Sequence, residues 1–94
     1  MKITYEQAYA DHQYLWQTYG PADDMTGAYV DQDDLAKMLK SPTKATARDC
    51  LESQISYWFS VGPDPHNGTP VDPDDPELLE IADRYGHDVF DIGR

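Results

Sequence analysis

The sequence predicts an all-α fold, a small bundle of about four helices, and three observations carry that expectation. Apolar residues recur at three- and four-residue steps in several stretches, helix-start residues and glycine or proline stops bracket those stretches, and strand signals are poor. Ninety-four residues form one domain, 1–94, long enough for a single core. No segment repeats at a fixed period.

The first helix starts at Thr4, an N-cap whose capping-box partner is Gln7, with Glu6 in the first turn where the helix dipole favours an acid. It runs to Tyr19 and stops at Gly20-Pro21. Tyr5, Ala8, Tyr9, His12, Leu15, Trp16 and Tyr19 share one face, and Tyr14 lies roughly opposite. Residues 21–30 form a connection without periodicity. Asp31-Gln32-Asp33-Asp34 then supplies the cap and first turn of a short second helix that continues through Leu35 to Lys40.

The third helix, Ser41 to Phe59, is the expected centre of the bundle. Ser41 reads as its N-cap and Pro42 as its first residue, because proline's missing N–H goes unused there, and Gly62-Pro63 marks its end. Ala47, Cys50, Leu51, Gln54, Ile55, Tyr57, Trp58 and Phe59 cover well over a third of its circumference, so it must touch neighbours on more than one side. Gln54 interrupts this arc. A buried amide without partners costs on the order of 1–3 kcal/mol, so Gln54 either bonds the backbone of another helix or marks a place where the arc faces a partner.

Gly62 to Pro76 holds five of the seven prolines and no hydrophobic repeat, which predicts a stiff, polar, extended Pro/Asp-rich loop between helices three and four. Within it Asn67-Gly68 reads as a turn. Asp75-Pro76-Glu77 restarts a helix, Leu78, Ile81, Ala82 and Tyr85 give it an apolar face, and Gly86 closes it. The tail, 87–94, keeps Val89, Phe90 and Ile92, enough to dock as an extended segment, with fraying the alternative.

Charge is the strongest global signal. Eighteen acidic and 7 basic residues give a formal charge of -11, which repels nucleic acid and anionic membrane and calls for a basic partner. The aromatic content of 12% supplies a core and argues against disorder. A single cysteine, Cys50, forms no internal disulfide and falls on the apolar face of the third helix. That favours a reducing compartment, and no apolar run has the length of a signal segment or membrane span, so the expected location is cytoplasmic.

No catalytic, metal or cofactor signature is present, and the expectation is a non-enzymatic protein without cofactors. His12, His66 and His87 are far apart, and His12 sits mid-stripe as a core histidine donating one ring proton. A calcium loop fails on geometry. Its sixth and twelfth positions require glycine and glutamate, whereas counting from Asp72 gives Glu77 and Asp83, and counting from Asp31 gives Ala36 and Pro42.

The basic residues are gathered. Lys37, Lys40, Lys44 and Arg48 supply four of the seven positive charges with no acid between Leu35 and Arg48, so the molecule is electrostatically two-faced. Leu35-Ala36, Leu39, Ser41, Thr43, Thr46 and Arg48 are similar to a DNA-reading helix-turn-helix. Lys40 stands where that motif prefers glycine and Asp49 where it prefers an apolar residue.

Carboxylates three or four residues apart on a helix stand roughly 5–6 Å from one another, and duplex DNA carries a phosphate per roughly 3.4 Å of each strand. A rigid acidic surface therefore suits a channel lined with lysine and arginine. The candidate partner-binding acids are Asp23, Asp24, Asp31, Asp33, Asp34, Asp72, Asp74, Asp75, Glu77 and Glu80. With its few lysines and arginines, its helix-start acids and no active-site pattern, the chain resembles, in size and acidic character, the small inhibitors encoded by phages and mobile elements, including anti-CRISPR and anti-restriction proteins. That resemblance implies occupation of a nucleic-acid-binding surface on a host defence complex by DNA mimicry, and it assigns no individual residue. Two alternatives stand beside it: an acidic immunity protein neutralising a basic nuclease toxin, and a small regulator or adaptor using the Lys37 to Arg48 patch.

Overall fold

The computed structural model describes residues 3–23, 32–40 and 43–92, and these form four α-helices and one 3-10 turn. The chain is a small all-α bundle, and the described residues contain no strand, only one isolated bridge, Ala22 with Pro63. Helix α1 spans Tyr5–Thr18, and Thr4 caps it as expected, its hydroxyl accepting the Gln7 N–H at 3.1 Å. The reciprocal half of the capping box is replaced: the Gln7 amide donates instead to Asp11, one turn on, at 2.9 Å.

Helix α2 spans Gln32–Leu39 and ends on Lys40, whose φ of 48° lies in the left-handed region that favours glycine and costs other residues roughly 1–2 kcal/mol. Helix α3 spans Lys44–Val61. Its cap is Thr43 rather than the expected Ser41-Pro42, which lie outside the described residues, because the Thr43 hydroxyl accepts the Thr46 N–H at 3.1 Å. Its far end is where the sequence places it: Gly62, at φ 79°, donates its N–H to the Trp58 carbonyl. Helix α4 spans Pro76–Arg84 with Asp75 as N-cap and Pro76 at its start. The tail docks, though as a 3-10 turn over Val89–Asp91 rather than an extended segment, with Val89 buried.

Helix α3 touches α1, α2 and the 3-10 turn, so it has neighbours on several sides. Its buried arc is narrower than expected: Ala47, Leu51, Ile55, Trp58 and Phe59 are buried, whereas Tyr57 faces outward and reaches the Asp23 carbonyl at 3.3 Å. Two apolar clusters result. One joins Ala8, Leu35, Ala47 and Leu51, and the larger one joins Leu15, Trp16, Tyr19, Ile55, Trp58, Phe59, α4 and Val89. Asp11, His12 and Gln54 sit between them along α1 and α3.

The Gly62 to Pro76 loop is folded back rather than extended. Its backbone pairs with the chain leaving α1: Asp23 N–H to Gly62 (2.9 Å), Asp64 N–H to Pro21 (2.8 Å) and Thr69 N–H to Tyr19 (2.6 Å). Asp64 is buried, and its carboxylate accepts the His66 N–H and the Asn67 amide, closing the turn read at Asn67-Gly68 and lowering its pKa. Gly20 and Gly68 meet here. A Cβ on Gly68 would lie 2.6 Å from both the Asp64 and Tyr19 carbonyl oxygens. Gly68→Ala should therefore cost about 1–3 kcal/mol through overpacking, read as a fall of several degrees in the thermal midpoint. An unchanged midpoint contradicts the close approach.

Candidate acidic interface

The acids divide by what holds them. Helix α4 exposes Glu77, Glu80 and Asp83, spaced three residues apart along its outer side, and it is preceded by exposed Asp72 and Asp74. The Asp72 carboxylate accepts the Asp74 N–H at 3.0 Å, which fixes this approach as a turn. Beyond α4, Asp88 and Asp91 are exposed on the 3-10 turn. From residue 72 to residue 92 the only lysine or arginine is Arg84, and its guanidinium turns inward to Asp11 at 2.6 Å.

Of the acids read from the sequence, Asp72, Asp74, Glu77 and Glu80 are exposed along this segment. Asp75 does not join them. One of its oxygens accepts the Glu77 N–H as the cap of α4, and the other accepts the hydroxyls of both Tyr14 and Tyr19 at 2.6 Å. Burial alone would raise the Asp75 pKa, but these donors outweigh it and the carboxyl is held below its ordinary value. The same bonds push Tyr14 up to about 12, whereas for Tyr19 burial is the first cause of its rise and Asp75 the second. Tyr14, expected to face away from the core, is the residue that turns to α4.

Asp33 is exposed on α2, in the half of the molecule built around Leu35, and Asp23 is partly buried beside Gly62. Asp24, Asp31 and the side chain of Asp34 lie outside the described residues. Asp83, Asp88 and Asp91 were not among the sequence candidates. The three-residue step from Glu80 was the signal for Asp83, and Asp88 follows from its role as cap of the 3-10 turn, where its carboxylate accepts the Phe90 N–H.

The basic corner is less free than its composition implies. Lys44 pairs with Glu6 at 3.1 Å, both exposed, and Arg48 pairs with Asp49 at 3.2 Å with a side chain only 17% exposed. Exposed pairs of this kind contribute little to stability. They do reduce the positive charge available to a nucleic acid.

The two remaining polar groups are structural. Asp11 is buried and joins α1 to the end of α4, accepting from Arg84, from Gln7 and, at 2.8 Å, from the Tyr85 hydroxyl. His12 Nε2 lies 2.8 Å from the Gln54 side-chain oxygen, and the imidazole stacks on Trp16 at 4.1 Å. Gln54 thus finds a side chain of α1 rather than backbone, and its amide also reaches Cys50 Sγ at 3.6 Å. With Nε2–H as donor, the buried Nδ1 has no hydrogen-bond partner. No three of the His, Cys, Asp and Glu side chains among the described residues converge to hold a metal ion.

Burial lowers the His12 pKa to about 4 from 6.5, against the opposing pull of Gln54. Between these values the unfolded chain takes a proton that the folded chain refuses. Stability is therefore full above about pH 6.5 and is lost as pH falls toward 4, by on the order of 3 kcal/mol in total. Urea midpoints for the wild type should fall across this window, and His12→Gln should flatten the fall. Parallel profiles contradict a buried neutral His12.

Compared with family models, curated proteins and solved structures, the chain matches none. No helix among the described residues is long and apolar enough to cross a membrane.

Proposed function

We propose that the protein is a non-enzymatic acidic inhibitor that occupies a basic nucleic-acid-binding surface of a host defence complex, in the manner of anti-CRISPR or anti-restriction DNA mimics. One observation carries the reading: Asp72, Asp74, Glu77, Glu80, Asp83, Asp88 and Asp91 are all exposed over one continuous segment whose only arginine is committed to Asp11. Carboxylates at three-residue steps on a capped helix form a rigid array roughly 5–6 Å apart. Such an array presents charge to lysines and arginines without the entropy cost of ordering a flexible tail. A DNA-reading role for the Lys37 to Arg48 patch fits less well, because Arg48 is largely covered and Lys44 is paired.

The test is charge reversal of Asp74, Glu80 and Asp83 to lysine together, leaving Glu77, whose charge favours the first turn of α4. The partner is captured from native lysate and identified by mass spectrometry. The triple variant should then bind it at least about tenfold more weakly at roughly 0.1 M salt, with the difference shrinking as salt rises. Equal affinities of variant and wild type contradict the reading.

A further inference from the structure

Phe90 is the most exposed of the large apolar side chains among the described residues, at 65%, while its neighbour Val89 is buried. Local bonds set this arrangement. The Asp88 carboxylate accepts the Phe90 N–H at 2.9 Å, and the Asp88 carbonyl accepts the Asp91 N–H at 3.0 Å, so the 3-10 turn holds Val89 in the core and Phe90 in solvent. Asp88 and Asp91, close to Phe90 in the chain, are exposed, and so is Leu79 at 43% on α4, the helix that also exposes Glu77, Glu80 and Asp83. An aromatic group within a polar rim is the usual build of a binding hot spot. Among the described residues the charged neighbours of Phe90 in the chain, Asp88 and Asp91, are both acidic. A two-fold contact with a second copy would set carboxylates against carboxylates, the basic corner that a head-to-tail contact would need has Lys44 paired with Glu6 and Arg48 with Asp49, and nucleic acid and anionic membrane are repelled by a chain of charge -11.

We propose that Phe90 is an apolar anchor that inserts into a recess on a basic protein surface, so that the acidic contact has a hydrophobic centre. The inference rests on the acidic-face reading above and adds to it a partner feature that charge mimicry alone does not require. Because Phe90 is exposed, Phe90→Ala leaves the fold intact, which its melting midpoint checks.

Wild type, Phe90→Ala and the triple lysine variant are compared on immobilised poly-L-lysine and on a random lysine-phenylalanine copolymer of matched lysine content, at roughly 0.1 and 0.5 M salt. Wild type should hold the copolymer about tenfold more tightly than Phe90→Ala does, with the difference persisting at high salt. Both should bind poly-L-lysine alike and release it in salt, and the triple variant should be weak on both. Equal binding of Phe90→Ala and wild type to the copolymer overturns the anchor while leaving the acidic face standing. A triple variant that binds both polymers like wild type, beside a weakened Phe90→Ala, overturns the acidic face and keeps the anchor. Self-association of the wild type that vanishes in Phe90→Ala assigns the ring to a second copy and overturns the proposal.

Discussion

Asp11→Ala lowers the stability of the fold by about 3 kcal/mol, the lower end of the range for breaking a buried ion pair, because Arg84 keeps some access to water. The substitution removes one carboxylate and strands three donors: the Arg84 guanidinium, the Tyr85 hydroxyl and the Gln7 amide. Burial first, and then the bond to Asp11, holds the Tyr85 ionisation well above its ordinary value, so this hydroxyl remains a neutral donor across the working pH range. The loss should be read in urea denaturation, and amide exchange should quicken first in α4, which Asp11 and Asp75 tie to α1 near its two ends. A double-mutant cycle with Arg84→Ala isolates the pair, because the two side chains are in contact and their effects are not additive. A variant as stable as wild type would show that the Asp11 contacts do not hold α4, leaving its apolar face and the Asp75 bonds to Tyr14 and Tyr19.

Trp58→Ala costs more, about 3–5 kcal/mol, against a total of about 5–15 kcal/mol expected for a domain of this kind. Trp58 is completely buried, meets Phe59 edge-to-face at 5.3 Å, and packs against Tyr19 at 5.8 Å. Its indole N–H donates to the Gly20 carbonyl at 3.1 Å, so one side chain joins the core to the turn on which the loop is pinned. Trp58→Phe keeps much of the volume and strands that carbonyl, at a cost of about 1–3 kcal/mol. The alanine variant should melt well below the phenylalanine variant, and both below wild type. Equal midpoints for the two would place the cost in the hydrogen bond rather than the packing.

Both effects depend on contacts far apart in the chain, and that separates what the sequence makes legible from what it conceals. Helix ends are local chemistry, so Thr4, Gly20, Gly62, Asp75-Pro76 and Gly86 could be read directly. Where two caps compete within a few residues, local chemistry is ambiguous, and Thr43 serves where Ser41-Pro42 was expected. Gln54 announced itself as a polar residue in an apolar arc, but its partner His12 lies 42 residues away and is found only when α1 and α3 come into register. Asp11 gave no signal, because its burial depends on the end of α4 returning to α1 across 73 residues. The exposure of Glu77 and Glu80 on α4 was legible, because helical spacing governs it. The inward role of the second Asp75 oxygen was not, since it depends on two tyrosines of α1.

The central claim is that the acidic face takes the place of nucleic acid on a basic partner. It is tested most directly by competition: the captured partner is loaded with fluorescent duplex DNA and titrated with wild-type protein while anisotropy is followed. Full displacement is predicted, with the apparent affinity falling as DNA concentration rises, no binding of the protein to DNA alone, and weak displacement by the triple lysine variant. A stable ternary complex in which DNA stays bound would contradict it.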